Sequence, residues 1–204
     1  MAYHHGDLRA AILQAAAGAV RREGPHAVNL RALAREVGVS HTAPRHHFGD
    51  KRGVLTALAT QGYVELTGRL AAAGARGDFL DVGVAFVAYA LERPAHFQML
   101  FRPDLVDTQD PDLRRARSEL SVRLTGGAER FASGSASGQQ RHPADDAALT
   151  EAGTSGDHLP TTALAAWSMA HGFATLALSG ALTVPPGGDL LDLARRTLSH
   201  LSRD

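Results

Sequence analysis

The sequence predicts an all-α protein, a small N-terminal unit followed by a larger helical one, on three observations. Apolar residues recur at helical spacing in one segment after another, and no run shows the alternation of a half-buried strand. Residues 29–52, NLRALAREVGVSHTAPRHHFGDKR, place two short helical patterns on either side of a glycine. Residues 161–183, TTALAAWSMAHGFATLALSGALT, hold no formal charge, a composition suited to a helix buried along much of its surface.

A first helix is expected over residues 7–23, with Asp7 as its cap and Leu8, Ile12, Ala16 and Val20 as its apolar stripe. Arg21 and Arg22 favour the dipole of its last turn, and Gly24-Pro25 stops it. Leu30, Leu33, Ala34 and Val37 then bury one face of a second helix. Gly38 suits the left-handed residue after a helix, where a side chain is strained. Val39 is expected to plug the turn and Ser40 to cap a third helix over residues 41–47. Pro44 lies near the start of that helix, where its missing N–H costs least, and Phe48 is expected to pack back between the first two helices. Two helices joined by a three-residue turn containing glycine form a helix-turn-helix, whose second helix enters the major groove of DNA. The outward residues His41, Thr42, Arg45, His46 and His47 can all hydrogen-bond to base edges or phosphates.

Asp50 is expected to cap a fourth helix running to about residue 73. Lys51 and Arg52 in its first turn oppose the macrodipole, a sign that an external phosphate over the helix end would reverse. Lys51 is also the only lysine in a chain that otherwise uses arginine. The small-residue run 71–77, AAAGARG, is expected to be a hinge. It divides a helix-turn-helix domain, residues 1–50 with the linking helix 51–73, from a larger C-terminal domain, residues 74–204. Helices are expected there over 78–93, 96–101, 110–131, 161–183 and from Asp189 onward. Residues 132–160, rich in Gly, Ser, Ala and Asp, hold too little apolar surface to order and are expected to form a flexible loop.

The 204 residues carry 21 basic and 21 acidic side chains, so the neutral whole is no general polyanion binder. Their distribution says more, because residues 1–55 hold eight basic side chains against four acidic ones. That asymmetry is the footprint of one module meeting phosphate while the remainder does something else. With no cysteine there is neither a disulfide framework nor thiolate chemistry. The opening MAYHHGDLRA has neither the basic region nor the apolar run of a signal peptide, so a cytoplasmic protein is expected. Histidines 4 and 5, in an expected disordered arm, and the adjacent His46 and His47 do not share a helix face as metal ligands would, and no metal or other cofactor is expected. No triad or glycine-rich phosphate loop marks an enzyme. The uncharged 161–183 segment is long enough to cross a membrane, yet Ser168, His171, Thr175 and Ser179 fall near one face, and the small Ser168, Gly172, Thr175 and Ser179 would let a second helix approach closely in a dimer.

At this point two runs, YHHGDLRAAIL and NLRALAREVGVSHTAPRHHFGDKRGVL, resemble TetR-type (tetracycline-repressor-like) transcriptional regulators. RPAHFQMLF and WSMAHGFATL resemble the subgroup with a Trp-His-Gly signature, here Trp167, His171 and Gly172. The resemblance implies a homodimer that binds a palindromic operator in double-stranded DNA, as a repressor, and is released by a small-molecule effector. By position it implies that Ser40, Thr42 and His47 contact bases or phosphates, that Lys51 holds a phosphate and that Arg31 touches the backbone. Where the family usually has a tyrosine this chain has Arg45, which could bind phosphate or read guanine with two hydrogen bonds. The dimer is expected through helices 161–183 and 189–202. Phe86, Tyr89, Phe97, Phe101, Trp167 and His171 are expected to line a site for a largely apolar effector, or else to fill a core. The alternative reading is a dimeric small-molecule-binding protein whose helix-turn-helix no longer binds DNA specifically.

Overall fold

The computed structural model describes residues 5–135, 161–184 and 187–202. Among the described residues there is no strand, and nine α-helices follow one another. They are α1 (His5–Glu23), α2 (Leu30–Val37), α3 (Ala43–Phe48), α4 (Lys51–Arg76), α5 (Phe79–Glu92), α6 (Pro94–Leu100), α7 (Pro111–Ser135), α8 (Thr161–Leu178) and α9 (Leu190–Leu198). Short 3-10 turns, Pro25–Ala27 and Ser199–Ser202, follow α1 and α9.

Several ends differ from expectation for identifiable reasons. Helix α1 already includes His5, so Asp7 lies inside its first turns rather than capping it, and His5 does not belong to a disordered arm. The run 71–76 is no hinge: it forms the last turns of α4, as its four alanines, the best helix formers, permit. Helix α7 continues through Ser135, past the expected loop boundary, while residues 136–160 lie outside the described residues. None of the described helices is long and apolar enough to cross a membrane.

The chain divides into two compact units, Met1–Glu65 with Glu92–Arg117, and Leu66–Leu91 with Ser118–Asp204. This division departs from a single boundary near residue 74, because long-range bonds join α4 to the segment that follows α5. In the first unit Ile12 and Ala16 of α1, Leu33 of α2 and Leu55 and Leu58 of α4 are almost wholly removed from solvent. Tyr63 donates its hydroxyl to the carbonyl of Leu100 at 2.8 Å, and Arg52 donates to the carbonyl of Val106 at 2.7 Å. The amide of Asp107 donates to the Thr56 hydroxyl at 2.8 Å. These bonds satisfy the last carbonyl of α6 and polar groups in the segment between Phe101 and Asp110, where no helix does so.

In the second unit α5 buries Phe86, Val87 and Tyr89, α8 buries Phe173 and Ala174, and α9 buries Ala194 and Leu198. Asp189 caps α9 by accepting the Leu191 amide at 3.1 Å. Helices α5 and α9 approach closely at Gly83, where a Cβ would stand 3.1 Å from Leu198. Arg195 and Asp81 pair beside this contact at 2.6 Å, and the bond to the guanidinium is the main reason the Asp81 carboxyl titrates below its ordinary value.

One buried histidine couples the first unit to pH. Arg93 donates twice to Glu65, at 2.9 and 2.8 Å, and its guanidinium also lies 3.2 Å from Nε2 of His96. Burial, and secondarily the Arg93 charge, push the His96 imidazole down to about 4, although Glu65 pulls the other way. The unfolded chain therefore binds a proton that the folded one excludes. The stability His96 allows is complete above the ordinary histidine value and is lost as pH falls toward 4. Thermal melts should show a loss on the order of 1 kcal/mol between pH 7 and pH 5 from this group. His96→Gln should flatten that dependence, and a profile unchanged by the substitution would show that the proton is bound elsewhere.

Candidate nucleic-acid interface

The reading head is built from local signals that leave its third helix outward-facing. Asn29 caps α2 by accepting the amides of Arg31 at 2.9 Å and Ala32 at 3.3 Å. The other end closes in a Schellman arrangement, with the Val39 amide bonded to the carbonyl of Ala34 at 2.9 Å and the Gly38 amide to that of Arg35 at 3.2 Å. Gly38 adopts φ 75 and ψ 34, the left-handed conformation that turns the chain toward α3. In the turn the Ser40 and Thr42 hydroxyls lie 2.8 Å apart, and the Ser40 oxygen accepts the Thr42 amide at 3.3 Å.

Helix α3 begins at Ala43, later than expected, and Thr42 precedes it without a side-chain capping bond. Its one buried residue is Pro44, in the first turn where a ring fits a helix. Phe48, expected to pack back between α1 and α2, is half-buried, with the guanidinium of Arg9 on α1 5.2 Å from its ring centre. Ser40, His41, Thr42, Arg45 and His46 are exposed, as is Arg31 at the second residue of α2. His47 is half-buried, its ring 5.6 Å from that of His46 and nearly perpendicular to it.

The start of α4 completes this face. Asp50 accepts the Gly53 amide at 2.8 Å, the expected cap, so one anion already occupies part of the helix end. Lys51 donates its ammonium to the carbonyl of His26 at 2.6 Å, which pins it over the 3-10 turn and leaves two of its three N–H donors for other acceptors. Gly53 is required by contact, since a Cβ there would fall 1.9 Å from the Phe48 carbonyl oxygen. Sequence reasoning missed Asn29 and Gly53. The first was readable as a capping type ahead of the apolar period. The second depends on how closely α3 and α4 meet.

The six expected effector residues fall in both units. Phe97 and Phe101 belong to the first, their ring centres 5.2 Å apart. In the second, the His171 ring stands 5.6 Å from that of Trp167 and 6.3 Å from that of Phe86. Burial lowers the tendency of His171 to take up a proton. Tyr89 is fully buried, with the Arg69 guanidinium 5.7 Å from its ring centre. A cleft of about 550 Å³ lies in the first unit, beside α1 and the start of α6, and none of the six lines it. Among the described residues no group of three or more His, Cys, Asp or Glu could hold a metal ion.

No curated protein matches this sequence. Among solved structures, a protein of unknown function from Rhodococcus sp. RHA1 is 26% identical, with a TM-score of 0.73 over 98% of this chain and 96% of that one. PfmR, a TetR family transcriptional regulator from Thermus thermophilus, is 18% identical, with a TM-score of 0.64 over 94% and 97% of the two chains. NalD, the secondary repressor of the MexAB-OprM multidrug efflux pump in Pseudomonas aeruginosa, is 20% identical, with a TM-score of 0.57 over 97% and 95%. The last two likenesses establish fold alone. A model of bacterial regulatory proteins of the tetR family matches residues 12–58, and one of the tetracyclin repressor-like C-terminal domain matches residues 79–201. With the helix-turn-helix and the helical remainder both accounted for, the chain belongs to the TetR family of bacterial transcriptional regulators.

Proposed function

We propose that the protein is a ligand-responsive repressor that binds a palindromic operator as a homodimer and is released by a small, largely apolar effector. The observation that carries this reading is a third helix with Arg45 and His46 turned to solvent and only Pro44 committed to the core. A helix presented this way is free to lie in the major groove, and a two-fold pair of such helices would read half-sites about one helical turn apart. Ser40, His41, Thr42, Arg45, His46 and His47 supply the groove contacts in this reading, and Arg31 and Lys51 the flanking phosphates.

Exposed Leu176, at 48%, lies on the same face of α8 as the exposed Ser168 and, just past the helix end, Ser179, and this supports a dimer formed by residues 161–183 with 189–202. The neighbouring Phe86, Trp167 and His171 rings support an effector that is mostly apolar with a hydrogen-bonding group. Release is a population shift. The effector favours a separation of the two heads that no longer matches successive grooves. Because α6 shares a compact unit with the helix-turn-helix and is tied to α4 through Glu65–Arg93 and Tyr63–Leu100, a displacement of α6 would carry the head with it.

The experiment that tests this reading measures affinity for the chain's own upstream DNA against a scrambled duplex across a salt series. Equal affinity for the two would favour a small-molecule-binding dimer without operator specificity. Lys51→Ala should weaken binding about equally for all sequences and reduce the log–log salt slope by roughly one per protomer. Arg45→Ala should relax preference at one symmetric base pair, with a loss on the order of 1–3 kcal/mol at that position. A uniform loss would restrict Arg45 to phosphate. Leu176→Glu should convert the dimer to monomer in light scattering at micromolar concentration, and a dimer unaffected by it would place the interface elsewhere.

A further inference from the structure

We propose that this protein takes up protons when it binds duplex DNA, through His41, His46 and His47, so that its affinity for DNA rises as the solution is acidified. The inference rests on the DNA-binding reading above and adds a linkage that the reading does not require.

The reading helix is short of permanent charge. Between Glu36 and Asp50 the only side chain with a fixed charge is Arg45. The three histidines of that stretch therefore decide whether this face brings one positive charge or as many as four to the groove. His41 and His46 are exposed and His47 is half-buried, its ring against that of His46. An imidazole ordinarily changes charge near pH 6.5, within a range where small changes of surroundings decide its state.

Those surroundings differ in sign between the free and the bound protein. The elements next to α3 carry Asp7, Arg9, Arg21, Arg22 and Glu23 on α1, His26 in the 3-10 turn, Arg31, Arg35 and Glu36 on α2, and Asp50, Lys51 and Arg52 at the start of α4. Of the acids, Glu36 lies 3.7 Å from Arg22 and Asp50 accepts the Gly53 amide. The free head is thus predominantly cationic, whereas a bound duplex brings phosphates to it. Duplex DNA places one negative charge every ~1.7 Å along its axis, and phosphates against this face favour the charged imidazole. A group that holds its proton more tightly in the complex than in the free protein makes binding stronger at low pH, and the gain is lost as pH rises through the bound value. His96 and His171 do not share this behaviour, because burial holds both toward the neutral form.

The test is fluorescence anisotropy with the full-length protein and two labelled 30-base-pair duplexes, one of random sequence and one from its own upstream region. Titrations run at pH 6, 7 and 8 at constant ionic strength. Affinity for both duplexes should fall on the order of tenfold or more from pH 6 to pH 8, as loss of several phosphate-facing charges requires. The triple variant His41→Gln, His46→Gln, His47→Gln should reduce that change to within about threefold, as expected once no imidazole faces phosphate. His46→Lys alone should raise affinity at pH 8 above wild type and shrink the dependence, a gain that a folding defect could not produce. Wild-type affinity that is flat with pH, or a slope the triple variant retains, would overturn the inference and leave the DNA reading standing. No binding to either duplex at any pH would remove both.

Discussion

A helix of six residues closes too few backbone hydrogen bonds to persist by itself in water, and α3 contributes one buried side chain, Pro44, to its own support. Its direction is imposed from outside. The left-handed Gly38 sets the angle at which it leaves α2, Pro44 anchors its first turn, and the Gly53 contact with the Phe48 carbonyl fixes where it meets α4. Because α3 commits only Pro44 fully to the core, Arg45 and His46 remain exposed for recognition. A helix-turn-helix works under this condition, since a recognition helix with a large apolar face would be drawn inward.

The support given to the reading head extends along the chain well beyond the helix-turn-helix. The ion pair of Arg93 with Glu65 is bidentate, and both of its members remain about one-third exposed, so its geometry contributes more than its net energy. With the bonds from Tyr63 to Leu100 and from Arg52 to Val106, it makes α6 and the segment after it part of the same compact unit as α1 to α3. His96, buried beside this pair, is held toward the neutral form, which avoids a buried positive charge next to Arg93. The second unit is held differently. Its core is built from α5, α8 and α9, and the Asp81–Arg195 pair lies at its surface.

Much of this was legible in the sequence because it rests on interactions within four residues. The periods of α1, α2 and α4, the turn at Gly38, the proline tolerated in the first turn of α3 and the Asp50 cap are all decided by neighbours in the chain. The outward set on α3 follows from the same local rule, since a short helix without bulky aliphatic residues has nothing to bury. Tertiary structure alone decided that Pro44 is buried while Phe48 is only half-buried beside Arg9, and that Lys51 meets a carbonyl 25 residues before it. It also decided that residues 92–117 join the reading head. Each of these depends on where distant segments pass one another in space, and no spacing along a single helix records that.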